Sequence, residues 1–351
     1  LGNPQRPQAH RRRQRARKTP GKPENKARKA VGLLTAFCLH MPVGGAAGRA
    51  RRGTFSRRRP LPRSKRGRRI RRMEGREADM RAKALVLDID GTLTNSGKEI
   101  APATKACILD ALERGHKCVL ASGRPAHGCG RYARELELER YGGYLLSHNG
   151  ARIVACGTGE TIYEKTLPLA ALPGLYAFAA EHGCGLATHQ GDTVISAFAP
   201  DRYVSWEAHI NGMPVRQAED FVGYVDFQVF KCFMTAEDER AAALEKELQA
   251  LYGESLGIYR SEPYFIEIVP RGVDKGSSLA MLAEHMGMAR EDVICCGDGF
   301  NDIPMLRWAG VGVAMGNAGQ AVKDAADYVT GTNDEDGLVE VIRRFVPADG
   351  A

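Results

Sequence analysis

The chain has no apolar stretch long enough to cross a bilayer. Its most apolar early run, Val31 to Leu39, covers nine residues, against about 20 for a spanning helix. Basic residues before it and a Gly-Gly-Ala-Ala-Gly stretch after it outline a signal peptide, but the preceding region is far too long for one. CxxC pairs are also missing. The nine cysteines, Cys38, Cys107, Cys118, Cys129, Cys156, Cys184, Cys232, Cys295 and Cys296, have neither zinc-site nor disulfide-framework spacing. They read as small buried residues of a reducing compartment, which predicts a cytoplasmic protein. The vicinal pair Cys295-Cys296 reads as strand packing, not as a redox switch. Internal repeats are absent too, which removes solenoid architectures. Acidic residues are scarce in one region: residues 1–80 hold 4 Asp and Glu against 25 Lys and Arg. That region also lacks apolar periodicity outside Val31–Leu39, so its composition predicts disorder.

The other 271 residues reverse the balance, with 38 Asp and Glu against 25 Lys and Arg, so the formal charge of +8 describes neither part. An acidic body of this size can bury a large core and gives no electrostatic reason to bind nucleic acid. Residues 1–79 have two readings. One is a basic disordered extension, whose arginines could neutralise phosphates. The other is an untranslated stretch: only Arg81, Ala82 and Lys83 separate Met80 from the first apolar run, and Glu74–Glu77 can be spelled in purine-rich codons. On that reading translation is expected to start at Met80 or Met73.

The body begins with chemistry. Ala84-Leu85-Val86-Leu87 reads as a strand buried on both faces. Asp88 and Asp90 follow it, and side-chain alternation puts both on the same side of the chain. Two carboxylates at a strand tip, followed by Gly91-Thr92, allow a metal site, a covalent nucleophile with an acid/base partner, or both. A plain Asp-Gly turn is the bland alternative. Helix Ala103–Arg114, strand Lys117–Ala121, helix Arg131–Glu139 and strand Tyr144–Ser147 continue an α/β alternation with loop chemistry at the strand ends. Asn149-Gly150 reads as a hinge or a substrate contact, the glycine favouring the hinge.

The style then changes. Residues 151–260 offer strands such as Thr193–Phe198 and Phe227–Phe233, and a helix, Glu237–Leu251, with Thr235 and Asp238 resembling a capping box. From 261 the α/β pattern returns, with strand Phe265–Ile268, a helix from Lys275 to Met286, strand Val293–Cys296, helix Ile303–Trp308, strand Gly310–Ala314 and helix Leu338–Phe345. The expected fold is a doubly wound, Rossmann-like parallel-sheet core (80–150 and 261–351) with an inserted α+β cap (151–260). Lys275 at a helix start opposes the macrodipole, which points to a ligand or carboxylate partner.

Asp88-Ile89-Asp90-Gly91-Thr92, Ser122-Gly123-Arg124, Lys275 and Gly297-Asp298-Gly299-Phe300-Asn301-Asp302 resemble, in order, the four motifs of the haloacid dehalogenase-like (HAD) phosphatases. The insertion between the second and third motifs, with the following Ile268–Gly276, is similar to the Cof-type branch with a class IIB cap. The resemblance spans about residues 82–346. It implies that Asp88 attacks phosphorus to give an aspartyl-phosphate. Asp90 would be the general acid and base, with a pKa raised by neighbouring carboxylates and burial. Lys275 would hold Asp88 and the phosphate together.

Three carboxylates around one small site need a cation, and Mg²⁺ suits oxygen ligands. The expected ligands are Asp88, the main-chain carbonyl of Asp90 and Asp298, with Asp302 as a further or supporting one. Ser122, with Gly123, would hold a phosphoryl oxygen, unless Ser122 is an ordinary helix cap. Asn301 would bind phosphate or orient a motif carboxylate. Arg124 is a substrate contact or a surface residue. In the cap, His189-Gln190 and Arg202-Tyr203 are candidates for substrate contact, though each fits a solvated loop better. The implied partner is a small phosphorylated metabolite, a sugar phosphate or phosphorylated cofactor. The rival readings are a phosphomutase on the same core and a nucleic-acid-associated protein acting through its basic tail.

Overall fold

The structure, a computed structural model, describes residues 83–346. The expectations for residues 1–79 lie outside them. Strands β1 (Ala84–Leu87), β2 (Lys117–Ala121), β3 (Tyr144–Ser147), β4 (Arg152–Ala155) and β5 (Thr161–Glu164) come first. They are followed by β6 (Gly185–Gln190), β7 (Thr193–Ser196), β8 (Val215–Gln217), β9 (Cys232–Thr235), β10 (Leu256–Glu262) and β11 (Phe265–Pro270). The last are β12 (Val293–Gly297), β13 (Val311–Ala314) and β14 (Tyr328–Val329).

These strands form an eight-stranded sheet in the order β14-β13-β12-β1-β2-β3-β4-β5 and a six-stranded sheet in the order β10-β11-β9-β6-β7-β8. In the first sheet β14 to β3 run parallel, and β4 and β5 turn back antiparallel. Strand β1 is buried on both faces because its residues alternate between two layers. Leu85 and Leu87 pack with helices Pro102–Glu113, Ala126–Glu135 and Gly337–Phe345, whereas Ala84 and Val86 face helices Lys275–His285 and Ile303–Trp308. That two-sided packing makes the run apolar throughout. Cys295 and Cys296 are fully buried in β12, and all eight cysteines among the described residues are free.

The second sheet is two-faced. Cys232, Met234, Ile266 and Ile268 pack under helices Leu172–His182 and Asp238–Tyr252. The alternate positions Phe233 and Phe265 lie on the other face, with helix Arg202–Asn211. Period-2 alternation therefore places Lys231 and Glu267 on that second face as well. No helix among the described residues is long and apolar enough to cross a membrane.

Several expected boundaries move. Residues 152–164 belong to the first sheet, because Arg152 pairs with Ser147 across a tight turn, and β10 and β11 belong to the second. The chain therefore changes sheets after Glu164 and again after Pro270, not at 151 and 260. The helix expected at Arg131–Glu139 lies at Ala126–Glu135. Gly128 and Gly130 weaken its propensity, but a side chain at 128 would strike Asn211 Oδ1, so the glycine admits the end of helix Arg202–Asn211. The capping box expected at Thr235 is not formed. Thr235 ends β9 and its hydroxyl donates to Asp201 Oδ2 (2.5 Å), leaving Glu237 as a cap without a side-chain bond.

Candidate active site

The site begins where β1 stops. Asp88 N donates to Cys296 O (3.0 Å), tying the strand tip to β12, and the amides of Leu93 and Thr94 donate to the carbonyls of Asp88 and Ile89. These bonds fold residues 88–94 into a tight loop. Gly91 has φ +79, and a side chain there would strike the Asp298 carboxylate. Both its left-handed backbone and this close approach require glycine.

Lys275 sits at the first position of helix Lys275–His285, which is capped by the Asp274 side chain accepting from Ser277 N. Its ammonium has no solvent exposure and donates to Asp88 Oδ1 and Asp302 Oδ1, both at 2.6 Å. The adverse charge at a helix start thus has two carboxylate partners. Burial works against the charge of Lys275, but Asp302 and Asp88 outweigh it and hold the ammonium above its usual range.

Asp302 is fully engaged, since its Oδ2 accepts from the amides of Asp298 and Gly299 at 2.9 Å each. Asp298 accepts from Thr92 Oγ1 (2.9 Å) and Asn317 Nδ2 (3.1 Å). One oxygen each of Asp88, Asp298 and Asp302 lie within 4.8 Å of one another. Burial, and then the charge of Asp302, push Asp298 up to about 7 and Asp88 well above its ordinary value. Three converging carboxylates, two of them disfavoured as anions by burial and each other's company, fit a hard cation with oxygen ligands. Asp302 is the least available of the three, because Lys275 and two amides already occupy its oxygens.

Asp90 does not have the environment expected for it. Its carboxylate accepts from Arg124 Nε (2.6 Å), Arg124 Nη2 (2.7 Å) and Lys98 Nζ (2.7 Å). Burial raises its pKa, but the bonds and charges of Arg124 and Lys98 outweigh burial and hold it at about 2. The neighbouring carboxylates expected to raise it are engaged elsewhere. Arg124 is no surface residue: it is 3% exposed, and its Nη1 donates to Ile210 O, at the end of helix Arg202–Asn211. One buried guanidinium thus joins Asp90 to the second sheet's layer.

Ser122, at the end of β2, is buried and does not cap a helix. Its Oγ accepts from Arg124 N (3.1 Å), and Pro125 precedes the next helix. Asn301 Nδ2 donates to Asn149 Oδ1 (2.9 Å), and a side chain at Gly123 would press on that same oxygen. Asn149 Nδ2 is buried with no hydrogen-bond partner. His148, Asn149 and Gly150 all have positive φ, and the turn is pinned by Ser278 Oγ donating to Gly150 O (2.9 Å). Residues 148–150 are therefore an anchored part of the site and not a hinge. Backbone strain of this kind collects at functional sites.

The cap candidates also change. Arg202 and Tyr203 are engaged with Glu237 on the surface, and Gln190 accepts from Tyr224 Oη. His189 lies inside β6, buried against Glu207. A cavity of about 200 Å³ runs from Asp88, Asp90 and Ser122 to Trp206, Glu207, Lys231 and Glu267. Lys98, Glu207, Lys231 and Glu267 carry no signal in the sequence that marks them as site residues. Asn149 does, as the hinge or substrate contact expected of Asn149-Gly150 at a strand end.

Known proteins resemble this chain in sequence and fold. The family profile for haloacid dehalogenase-like hydrolases matches residues 85–342. A 5-amino-6-(5-phospho-D-ribitylamino)uracil phosphatase from Bacillus subtilis (strain 168) is 30% identical over 276 residues, covering 78% of this chain and all of the relative. A haloacid dehalogenase-like hydrolase from Bacteroides thetaiotaomicron superposes with a TM-score of 0.69 at 43% identity, covering 75% of this chain and 99% of that one. A HAD subclass IIB sugar phosphatase gives 0.66 at 30% identity, over 75% and 99%. With four motifs gathered at one end of the large sheet and these likenesses along almost the whole described length, the chain belongs to the haloacid dehalogenase-like hydrolases, as a phosphatase of the Cof type.

Proposed function

We propose that the protein hydrolyses small phosphorylated metabolites, sugar phosphates or phosphorylated cofactors, through an aspartyl-phosphate on Asp88, with Mg²⁺ as its metal and the cytoplasm as its compartment. The observation that carries this reading is the grip of Lys275 on Asp88: a carboxylate at a parallel strand tip, 2.6 Å from a fully buried ammonium and beside two more carboxylates. Mg²⁺ held by Asp88, Asp298 and the Asp90 carbonyl, with Asp302 in support, would neutralise phosphoryl oxygens and polarise the ester.

The chain's own residues do the rest. Lys275 favours the ionised form of Asp88 against burial and the charge of Asp302, and it aims the carboxylate. An Asp88 oxygen bonds to phosphorus, and the bond from phosphorus to the ester oxygen breaks. Asp90 gives that oxygen a proton. Water then attacks the same phosphorus and passes a proton to Asp90, and the phosphate leaves with Asp88 restored. At rest Asp90 is a carboxylate held by Arg124 and Lys98. Its acid role requires those two cations to turn to the phosphoryl oxygens as substrate enters, which frees Asp90 to take up a proton. Ser122 Oγ, the amide of Gly123 and Asn301 complete the phosphoryl cradle.

The two named relatives support the substrate class, one being named for a phosphoribitylamino-uracil and the other for sugar phosphates. The test is phosphate release by the purified chain from a panel of phosphorylated sugars, sugar alcohols and cofactors. Turnover is expected in Mg²⁺, silence in EDTA and recovery on adding Mg²⁺ back. Turnover indifferent to EDTA would overturn the metal assignment, and no phosphate release from any ester would overturn the activity.

A further inference from the structure

The cavity has a second charged end that the phosphoryl chemistry does not use. Lys231, just before β9, is 3% exposed and lies 3.0 Å from Glu267 Oε2 and 3.8 Å from Glu207 Oε1. Glu267, on β11, also accepts from Ser261 Oγ (2.8 Å). Glu207, on helix Arg202–Asn211, has its Oε1 3.3 Å from His189 Nε2, but neither atom is aligned for a hydrogen bond. His189 Nδ1 is buried and also unbonded. Glu207, Lys231, Ser261 and Glu267 all line the cavity that holds Asp88. These buried groups therefore keep hydrogen-bonding capacity that the fold does not consume, which is costly unless a ligand uses it.

The sign of the cluster matters as much as its polarity. Two carboxylates face one ammonium, and burial pushes the His189 pKa down, so the histidine adds no positive charge. A second anion on the substrate would meet net negative charge in a poorly hydrated pocket. A hydroxyl can donate to Glu207 Oε1 and accept from Lys231, answering both.

We propose that Glu207, Lys231 and Glu267 form the leaving-group subsite, and that it selects monophosphates whose leaving group carries several hydroxyls and no second anion. Trp206, 44% exposed where it lines the cavity, offers a flat apolar surface to the far end of such a group. The inference rests on the phosphatase reading above and sharpens its substrate class.

The test compares kcat/KM for three probes in Mg²⁺: sorbitol 6-phosphate, phenyl phosphate and 2-phosphoglycolate. The protein should prefer sorbitol 6-phosphate to 2-phosphoglycolate by about tenfold or more. Glu207→Gln is nearly isosteric and keeps the Lys231–Glu267 pair. It should lower the ratio of sorbitol 6-phosphate to phenyl phosphate by about tenfold, chiefly through KM, because the lost acceptor touches only hydroxyls. Glu267→Gln gives a second reading of the same ratio should Glu207→Gln fold poorly. A ratio unmoved in both variants, or equal use of 2-phosphoglycolate and sorbitol 6-phosphate, overturns the subsite while leaving the phosphatase intact. Hydrolysis of none of the three probes overturns the subsite, and only silence across the wider panel of esters overturns the phosphatase as well.

Discussion

Two buried lysines, one behind Asp88 and one lining the cavity that Asp88 opens onto, face two carboxylates apiece and are built differently. Lys275 bonds Asp88 and Asp302 at 2.6 Å each, is fully buried and extends from a capped helix. Lys231 reaches Glu267 at 3.0 Å and Glu207 only at 3.8 Å, with polar atoms around it left unbonded. The first arrangement is saturated and rigid, as a reacting carboxylate needs when small displacements cost large factors in rate. The second is loose, as befits groups that take their remaining partners from a ligand. Tightness thus separates the end that performs one reaction from the end that meets variable leaving groups.

The contrast can be broken most sharply at Asp88. Asp88→Asn should lower kcat by about a thousandfold or more, because an amide cannot form the acyl phosphate. It should leave folding unharmed in metal-free buffer, since it removes a buried charge that Asp302 already opposes. Appreciable residual turnover by phosphate release would refute the nucleophile, and loss of the folded circular-dichroism signal would refute the stability argument. The two lysines come next. Lys275→Met strands Asp88 and Asp302 and should cost about 3–5 kcal/mol in urea unfolding. Lys231→Met should cost about 1–3 kcal/mol, because Ser261 still serves Glu267 and the Glu207 contact is already long. Equal costs would erase the proposed difference between saturated and loose ends.

The same division explains what could be read from the sequence. Asp88, Ser122 and Asp298 each follow a short apolar run, and Lys275 opens a helix against its dipole, so local patterns expose the phosphoryl end. Lys231, Glu267 and Glu207 carry no such mark. Lys231 precedes Cys232-Phe233-Met234 and looks like an ordinary strand flank. Only the antiparallel registers Ile268↔Cys232 and Thr188↔Cys232 bring β11 and β6 beside it, and Glu207 arrives from a helix over twenty residues away. Arg124 shows the same limit. Its link to Asp90 reverses the expected pKa, and that link depends on a main-chain carbonyl at 210 that no spacing rule connects to residue 124. Tertiary contact also overrode propensity at Gly128, whose missing side chain makes room for Asn211.

The smallest expected effect concerns acid, and it falls on the loose end, where the histidines are. His148 packs against His189 and Phe230 with ring centroids 5.9 and 5.2 Å apart, and Lys231 and Arg152 also face it. Burial, then His189, Lys231 and Arg152, hold His148 well below the ordinary histidine value, and burial lowers His189 too. In the unfolded chain both rings protonate near about pH 6.5. Below that pH the unfolded state binds protons that the native state refuses, so stability is whole above about 6.5 and is lost as pH falls toward the depressed native values. Each refused proton contributes a slope of at most about 1.4 kcal/mol per pH unit. His148→Asn keeps a residue that tolerates the left-handed backbone at 148, where φ is +52, and removes one titrating ring. The difference between variant and wild type in urea unfolding free energy, followed from pH 7.5 to pH 5, cancels every carboxylate the two proteins share. It should stay flat above about 6.5 and then move in the variant's favour as the wild type loses its His148 share. A difference flat across the whole range would mean that His148 takes up a proton in place. The loose end would then be open to water, and the low-dielectric repulsion invoked against a second anion would go with it.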